Sequence, residues 1–118
     1  MSVAAFGAGD AVSAVLGSAL DGLSARQGVI ANNIANVDTP GFRATSVDFE
    51  SSLRSAIDSE GRTRARVQTT ATQTPVGAND NNVDLRKESM AAMQTQFQYQ
   101  LMTRAVADRF ELTKIAAT

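Results

Sequence analysis

The residue types that carry most protein chemistry are missing from this chain. It holds no histidine and no cysteine among 118 residues. That removes imidazole general bases, thiolate nucleophiles, disulfides and every His- or Cys-ligated metal site. A catalytic site would have to be built from Asp or Glu with Lys, Ser or Tyr, and these stand at no spacing that names a reaction. Asp48 and Glu50 form a lone acidic pair on a segment expected at the surface. Gly7 and Gly9 are not followed by the third glycine, or by the strand-to-helix transition, of a phosphate-cradling loop. The run Asn79-Asp80-Asn81-Asn82 has the polarity of a calcium loop but lacks the glycine placement and distal Glu of an EF-hand, so it reads as capping and turn formation. No catalytic, cofactor-binding or metal-binding residue is assigned, no cofactor is expected, and the chain is not read as an enzyme.

What remains is recognition chemistry. Arg62, Arg64 and Arg66 would line one face of an extended segment; they read as a solvated face, with contact to acidic partners or peptidoglycan as the functional alternative. A net charge of −1 gives no electrostatic case for nucleic acid or an anionic membrane. It also leaves little self-repulsion against packing many copies together. Asn32, Asn33 and Asn36 cluster near an expected helix end, where Asn caps free carbonyls or forms Asx turns. In an assembly the same amides could hydrogen-bond across subunits. Phe49 and Leu53 lie four apart, which places a hydrophobic pair on one turn of a short helix.

Two long helices must position these groups. Leu16, Leu20, Leu23, Ile30, Ile34 and Val37, with Gln27 as the polar member, step alternately by four and three, a heptad seam. After a small-residue tail over 1–9, Asp10 is expected to cap a helix reaching about Asn36. Asn36 and Asp38 tolerate a helix end, Pro40 forces Thr39 out of the α region, and Gly41 permits the positive φ of a Pro-Gly turn before Phe42. Gly17, Gly22 and Gly28 make that helix marginal alone, each costing about 1 kcal/mol relative to alanine, and favour close approach of another helix. Phe49, Leu53 and Ile57 suggest a short helix within Val47–Asp58. Residues 59–82 read as an extended or flexible connector with a short β excursion around Arg64–Thr70.

The last helix is expected from Val83 or Asp84 to the end, with Asp84 and Glu88 first and Arg104, Arg109 and Lys114 late, each the favourable sign for the helix dipole. Met90, Met93, Phe97, Leu101, Leu112 and Ile115 form one apolar stripe, interrupted by Asp108; Met102, Val106 and Phe110 form a second beside it. A helix apolar on more than one face needs more than one neighbour. The first helix can cover one stripe and another copy of the chain the other. The expected fold is all-α: two long terminal helices (10–36 and 83–118) packed as a coiled-coil-like pair, with a turn, short helix and flexible connector (37–82) between them. With aromatics at 5% and a core rich in alanine, such a chain depends on neighbours for burial. No run approaches the roughly 20 apolar residues that span a bilayer, and the start lacks a secretory n- and h-region. Composition alone points to the cytoplasm.

The stretch LSARQGVIANNIANVDTPGFRATSVDFE, Leu23 to Glu50, resembles the N-terminal signature of flagellar rod, hook and hook-filament junction proteins. Its Val-Asp-Thr-Pro-Gly-Phe wording, followed by Val-Asp-Phe-Glu, is similar to that of the proximal rod members. Asn81 to Ala117 resembles the closing helix of the same family, which usually has Glu-Met where this chain reads Glu88-Ser89-Met90. The resemblance implies a structural subunit of the bacterial flagellar basal body, exported by the flagellar type III apparatus without a cleaved signal and placed in the periplasmic rod. It makes Asn32, Asn33, Asn36, Asp38, Thr39, Pro40, Gly41 and Phe42 the rod signature turn. It also implies as partners copies of the chain, other rod proteins, the membrane-ring adaptor protein and, during secretion, the export gate protein FlhB, which reads a Phe followed four residues later by an apolar residue, here Phe49 and Leu53. The competing reading is a small soluble helical adaptor or secretion chaperone that folds alone as a compact dimer.

Overall fold

The computed structural model describes residues 2–62 and 68–117. The elements run α1 (Ser2–Ala35), β1 (Thr45–Val47), α2 (Phe49–Asp58), β2 (Thr69–Ala71) and α3 (Leu85–Ala117). α1 and α3 lie side by side and antiparallel, joined at one end by everything between them. The result is a rod-shaped hairpin measuring 63 × 24 × 14 Å with a radius of gyration of 18.0 Å. A compact domain of this length would have a radius near 13–14 Å. The all-α expectation holds, with a small strand pair added in the middle.

α1 begins at Ser2, so the expected tail is helical from Ser2 onward and Asp10 lies within the helix instead of capping it. Alanine recurs through this start, and its high helix propensity carries the helix past the glycines. At the other end, Asn36 N–H donates to the carbonyls of Asn32 and Asn33, and the chain leaves the helix after Ala35. Phe42 N–H donates to Thr39 O at 3.2 Å across Pro40 and Gly41, and Gly41 has φ +77°. Pro at the second position and a positive-φ Gly at the third are the requirements of a type II turn.

β1 and β2 pair antiparallel, Ser46 opposite Thr70. β2 sits at the far end of the expected β excursion; Arg64 and Arg66 lie outside the described residues. α2 is capped by Asp48, whose carboxylate accepts from Ser51 N–H. It docks on α1 through Phe49, Leu53 and Ala56, while Ile57 is exposed. The reason is helical phase: seven residues return the chain to within about 20° of its starting face, and eight overshoot it. Beyond α2, Gly61 takes φ +80° where a Cβ would stand 2.8 Å from that of Ala14, so this turn packs directly on α1.

The core is small. Ala19 and Leu23 of α1 meet Val47 and Phe49, with Val29, Leu53 and Met102 packed around them. α3 is capped by Asp84, whose carboxylate accepts from Lys87 N–H. It presents Ala91, Thr95 and Met102 inward, so the stripe that α1 covers is the one through Met102 and Val106. The longer stripe faces away, with Met90, Met93, Phe97, Leu101, Leu112 and Ile115 all exposed. Much of the α1–α3 seam is polar: Gln27 donates to Gln96 at 3.2 Å, Thr95 is fully buried, and Gln98 Oε1 is buried without a partner among the described residues.

Candidate functional site

Among the described residues no cluster of three acidic side chains could hold a metal ion, and no helix is long and apolar enough to cross a membrane. A cleft of about 210 Å³ between α1, β1 and the start of α3 is lined by Arg26, Glu50, Lys87, Glu88 and Thr95. Its strongest group is already engaged: Arg26 forks onto Glu50 at 2.8 and 3.1 Å and donates to Val47 O at 2.9 Å, with its guanidinium 5.6 Å from the Phe49 ring centre. The hydrogen bonds from Arg26 hold the Glu50 carboxyl below its ordinary pKa, outweighing the partial burial that raises it. This is a clamp between α1 and α2, not a reaction centre.

The built site is the closed end of the hairpin, and asparagine builds it. Asn33 is wholly buried; its Nδ2 donates to Thr45 O at 2.7 Å and its Oδ1 accepts from Thr45 N–H at 3.2 Å. One side chain thus supplies both hydrogen bonds that another strand would give that residue of β1. Asn81 Nδ2 donates to the carbonyls of Asn36 and Thr39, both at 2.8 Å, while its Oδ1 accepts from Val83 N–H. Asn82 Oδ1 accepts from Ala44 N–H at 2.6 Å, and its Nδ2 reaches Thr72 Oγ1 and Thr74 O. Outside these, Thr39 Oγ1 donates to Asn36 Oδ1, Gly41 N–H donates to Asn79 O, and Arg43 holds both the carbonyl and the carboxylate of Asp80.

Sequence reasoning placed the signature turn and the Asn79–Asn82 run separately, each as local turn chemistry. The structure brings them together: the run before α3 is the other half of the turn's hydrogen bonding. The available signal was a second pair of adjacent asparagines, Asn81-Asn82, standing before a helix as Asn32-Asn33 stands near the end of one. Asn32 and Asn36 remain local, with Asn36 Nδ2 donating to Asn32 O, and Asp38 and Pro40 are exposed. On the α1 seam, Leu23 and Ile30 are buried and Leu16, Leu20, Ile34 and Val37 half-buried. Phe49 is only 4% exposed, lying against Gly22, where an added Cβ would come within 2.7 Å of its ring. Leu53 is half-buried beside it.

Residues 14–43, from the middle of α1 through this turn, match the family described as flagella basal body rod protein. The flagellar basal body rod protein FlgB of Borreliella burgdorferi is 32% identical, over 81% of this chain and 87% of its own length. FlgB of Bacillus subtilis is 34% identical over 87% of this chain and 90% of its own. The chain belongs to the FlgB family of flagellar basal body rod proteins. FlgB of Escherichia coli is 32% identical over 73% of this chain and 78% of its own length, so the likeness to FlgB reaches well past the matched turn. The asparagine-knit end fixes how α1 and α3 lie together, and the exposed apolar side chains lie along the length of α3.

Proposed function

We infer that the chain is a structural subunit of the proximal rod of the flagellar basal body and not an enzyme. Its work is to pack with other rod subunits into the shaft that transmits torque. Membership of the FlgB family supports the reading, and the observation that carries it is the row of large apolar side chains along α3. From Met90 to Ile115 these are 48–74% exposed, an apolar surface broken by Arg104 and Asp108 that calls for a neighbour. Copies of the chain, other rod proteins and the membrane-ring adaptor are the partners proposed for it, in the periplasm, after type III export.

Export itself is proposed to be read by the gate protein FlhB at Phe49 and Leu53. Because Phe49 is buried against Gly22 under Arg26, the pair is accessible only before α2 docks on α1. The rod reading is tested by expressing the chain, and its Leu23→Asp variant, in a strain of its own species lacking the gene. The native chain restores motility and co-sediments with basal bodies; the variant does neither. Restored motility with Leu23→Asp would remove the helix-packing account.

A further inference from the structure

We infer that the outward ridge of α3 in one copy seats on the outward face of α1 in a second copy, antiparallel, with Phe97 over Gly28. The inference takes its partner from the rod-subunit reading and adds the two faces and their register.

The ridge is Met90, Met93, Phe97 and Leu101, exposed at 65, 74, 61 and 48%. It lies opposite Ala91, Thr95 and Met102, which face α1 within the chain. The outward face of α1 has the reverse relief. Ser24, Gly28, Ala31 and Ala35 follow one another by four, three and four residues and are all exposed. A Cβ added at Gly28 meets nothing within 4 Å, and the same is true one helical stripe earlier at Gly17. Gly22 is different, because the Phe49 ring fills the space a Cβ would take. Glycine weakens a helix interior relative to alanine, so the chain itself supplies a reason for Gly22 and none for Gly28. A bulky ridge arriving from outside supplies one: small residues let a neighbouring helix come close.

Charge agrees with this register. Along the outward face of α1 the charged side chains are acidic, Asp10 and Asp21, while Arg26 turns inward to Glu50. Arg104 stands in line with the α3 ridge. With the helices antiparallel and Phe97 over Gly28, Arg104 comes to Asp21, since 104 − 97 and 28 − 21 are both 7. The same alignment sets Leu101 at Ser24 and Met90 at Ala35, and leaves Asp108 at the open Gly17. Two different faces of one chain make a heterologous contact, which repeats instead of closing as a two-fold dimer. Because α1 and α3 are antiparallel within a copy and between copies, every copy points the same way, as a shaft requires.

The absence of native cysteine makes the test direct. Ser24→Cys and Leu101→Cys chains, each complete and each altered at an exposed position, are mixed under oxidant at concentrations where the chain sediments as large species. The disulfide-linked dimer is expected at about tenfold or more over either variant alone, since cysteines with Cα atoms beyond about 7 Å cannot bridge. Linking of Leu101→Cys with itself at the same yield would mean ridge against ridge and overturn the proposal. Large species without the 24–101 link overturn the faces while sparing the rod reading; no large species at any concentration brings down both. A second variant guards against misfolding: Gly28→Leu keeps or raises the thermal midpoint of the dilute chain and loses the sedimenting species. Retained assembly in Gly28→Leu contradicts the proposed seat.

Discussion

The two ends of the hairpin are finished to different degrees. At the closed end, Asn33, Asn81 and Asn82 are each no more than 6% exposed and bind backbone groups of segments far away in sequence. At the open end the packing thins out. Among the described residues, α1 has its first buried side chain at Ser18 and α3 its last at Thr95, while every described position after Phe110 is exposed. The closed end satisfies its own polar groups and needs no neighbour; the open end leaves apolar surface that only a neighbour can cover. On the proposed rod reading, the closed end is the joint that sets the angle of the helices and the length beyond it is stabilised by the assembly.

The contrast breaks most severely at Leu23, which is fully buried where α1, β1 and α2 meet. Leu23→Asp loses its packing and places a charge in a dry core, so the loss is expected to reach at least about 4 kcal/mol, enough to unfold a marginal chain. Circular dichroism of the dilute variant will show the loss of helix; retained helicity would move Leu23 out of the core. Next comes Asn33→Ala. It leaves the N–H and C=O of Thr45 without partners, and a loss of about 2–4 kcal/mol in urea unfolding is expected.

Two glycines of α1 differ in the same way, one closed over and one open. Gly22→Ala drives a methyl into the Phe49 ring and is expected to destabilise by about 1–2 kcal/mol despite its better helix propensity. Gly28→Ala meets open space and is expected to stabilise the dilute chain by up to about 1 kcal/mol. Equal thermal shifts for the two would show that α2 does not sit on α1 as described. The smallest effect is electrostatic. Arg26 lowers the folded-state pKa of Glu50 below the ordinary glutamate value of about 4.5. The stability this contributes is present above about pH 4.5 and is lost as pH falls through the lower folded value. Glu50→Gln should flatten that part of the stability profile, and an unchanged acid limb would remove Glu50 from the clamp.

Much of this was legible in the residues. The heptad steps from Leu16 to Val37 named a long helix with a seam, and Pro40-Gly41 named the turn that ends it. Two features were not. Asn81 and Asn82, just before α3, are tied to the turn and to Ala44 beside β1, and α3 meets α1 with a face that is not its most hydrophobic one; hydrophobicity alone therefore could not say which of its two stripes meets α1. The asparagine network spans 45 residues of sequence, from Asn36 to Asn81. Each asparagine taken alone has an adequate local explanation as a cap or turn residue, so nothing in the local pattern demands a distant partner. Phe49 shows the opposite case. Its spacing to Leu53 suggested a packing pair and the family resemblance a motif for recognition; the structure buries Phe49, so the proposed recognition would have to precede the docking of α2 on α1.

The measurement that tests the account most directly is hydrogen exchange along the chain, recorded for the dilute chain and for the assembled form. Amides held at the closed end, among them Ala44, Thr45 and Val83, should be protected in both. Those of α3 beyond Met102 should exchange freely when dilute and become protected only on assembly. Uniform protection of α3 in the dilute chain would mean that the hairpin is complete by itself, and would contradict the claim that its open length is finished by neighbours.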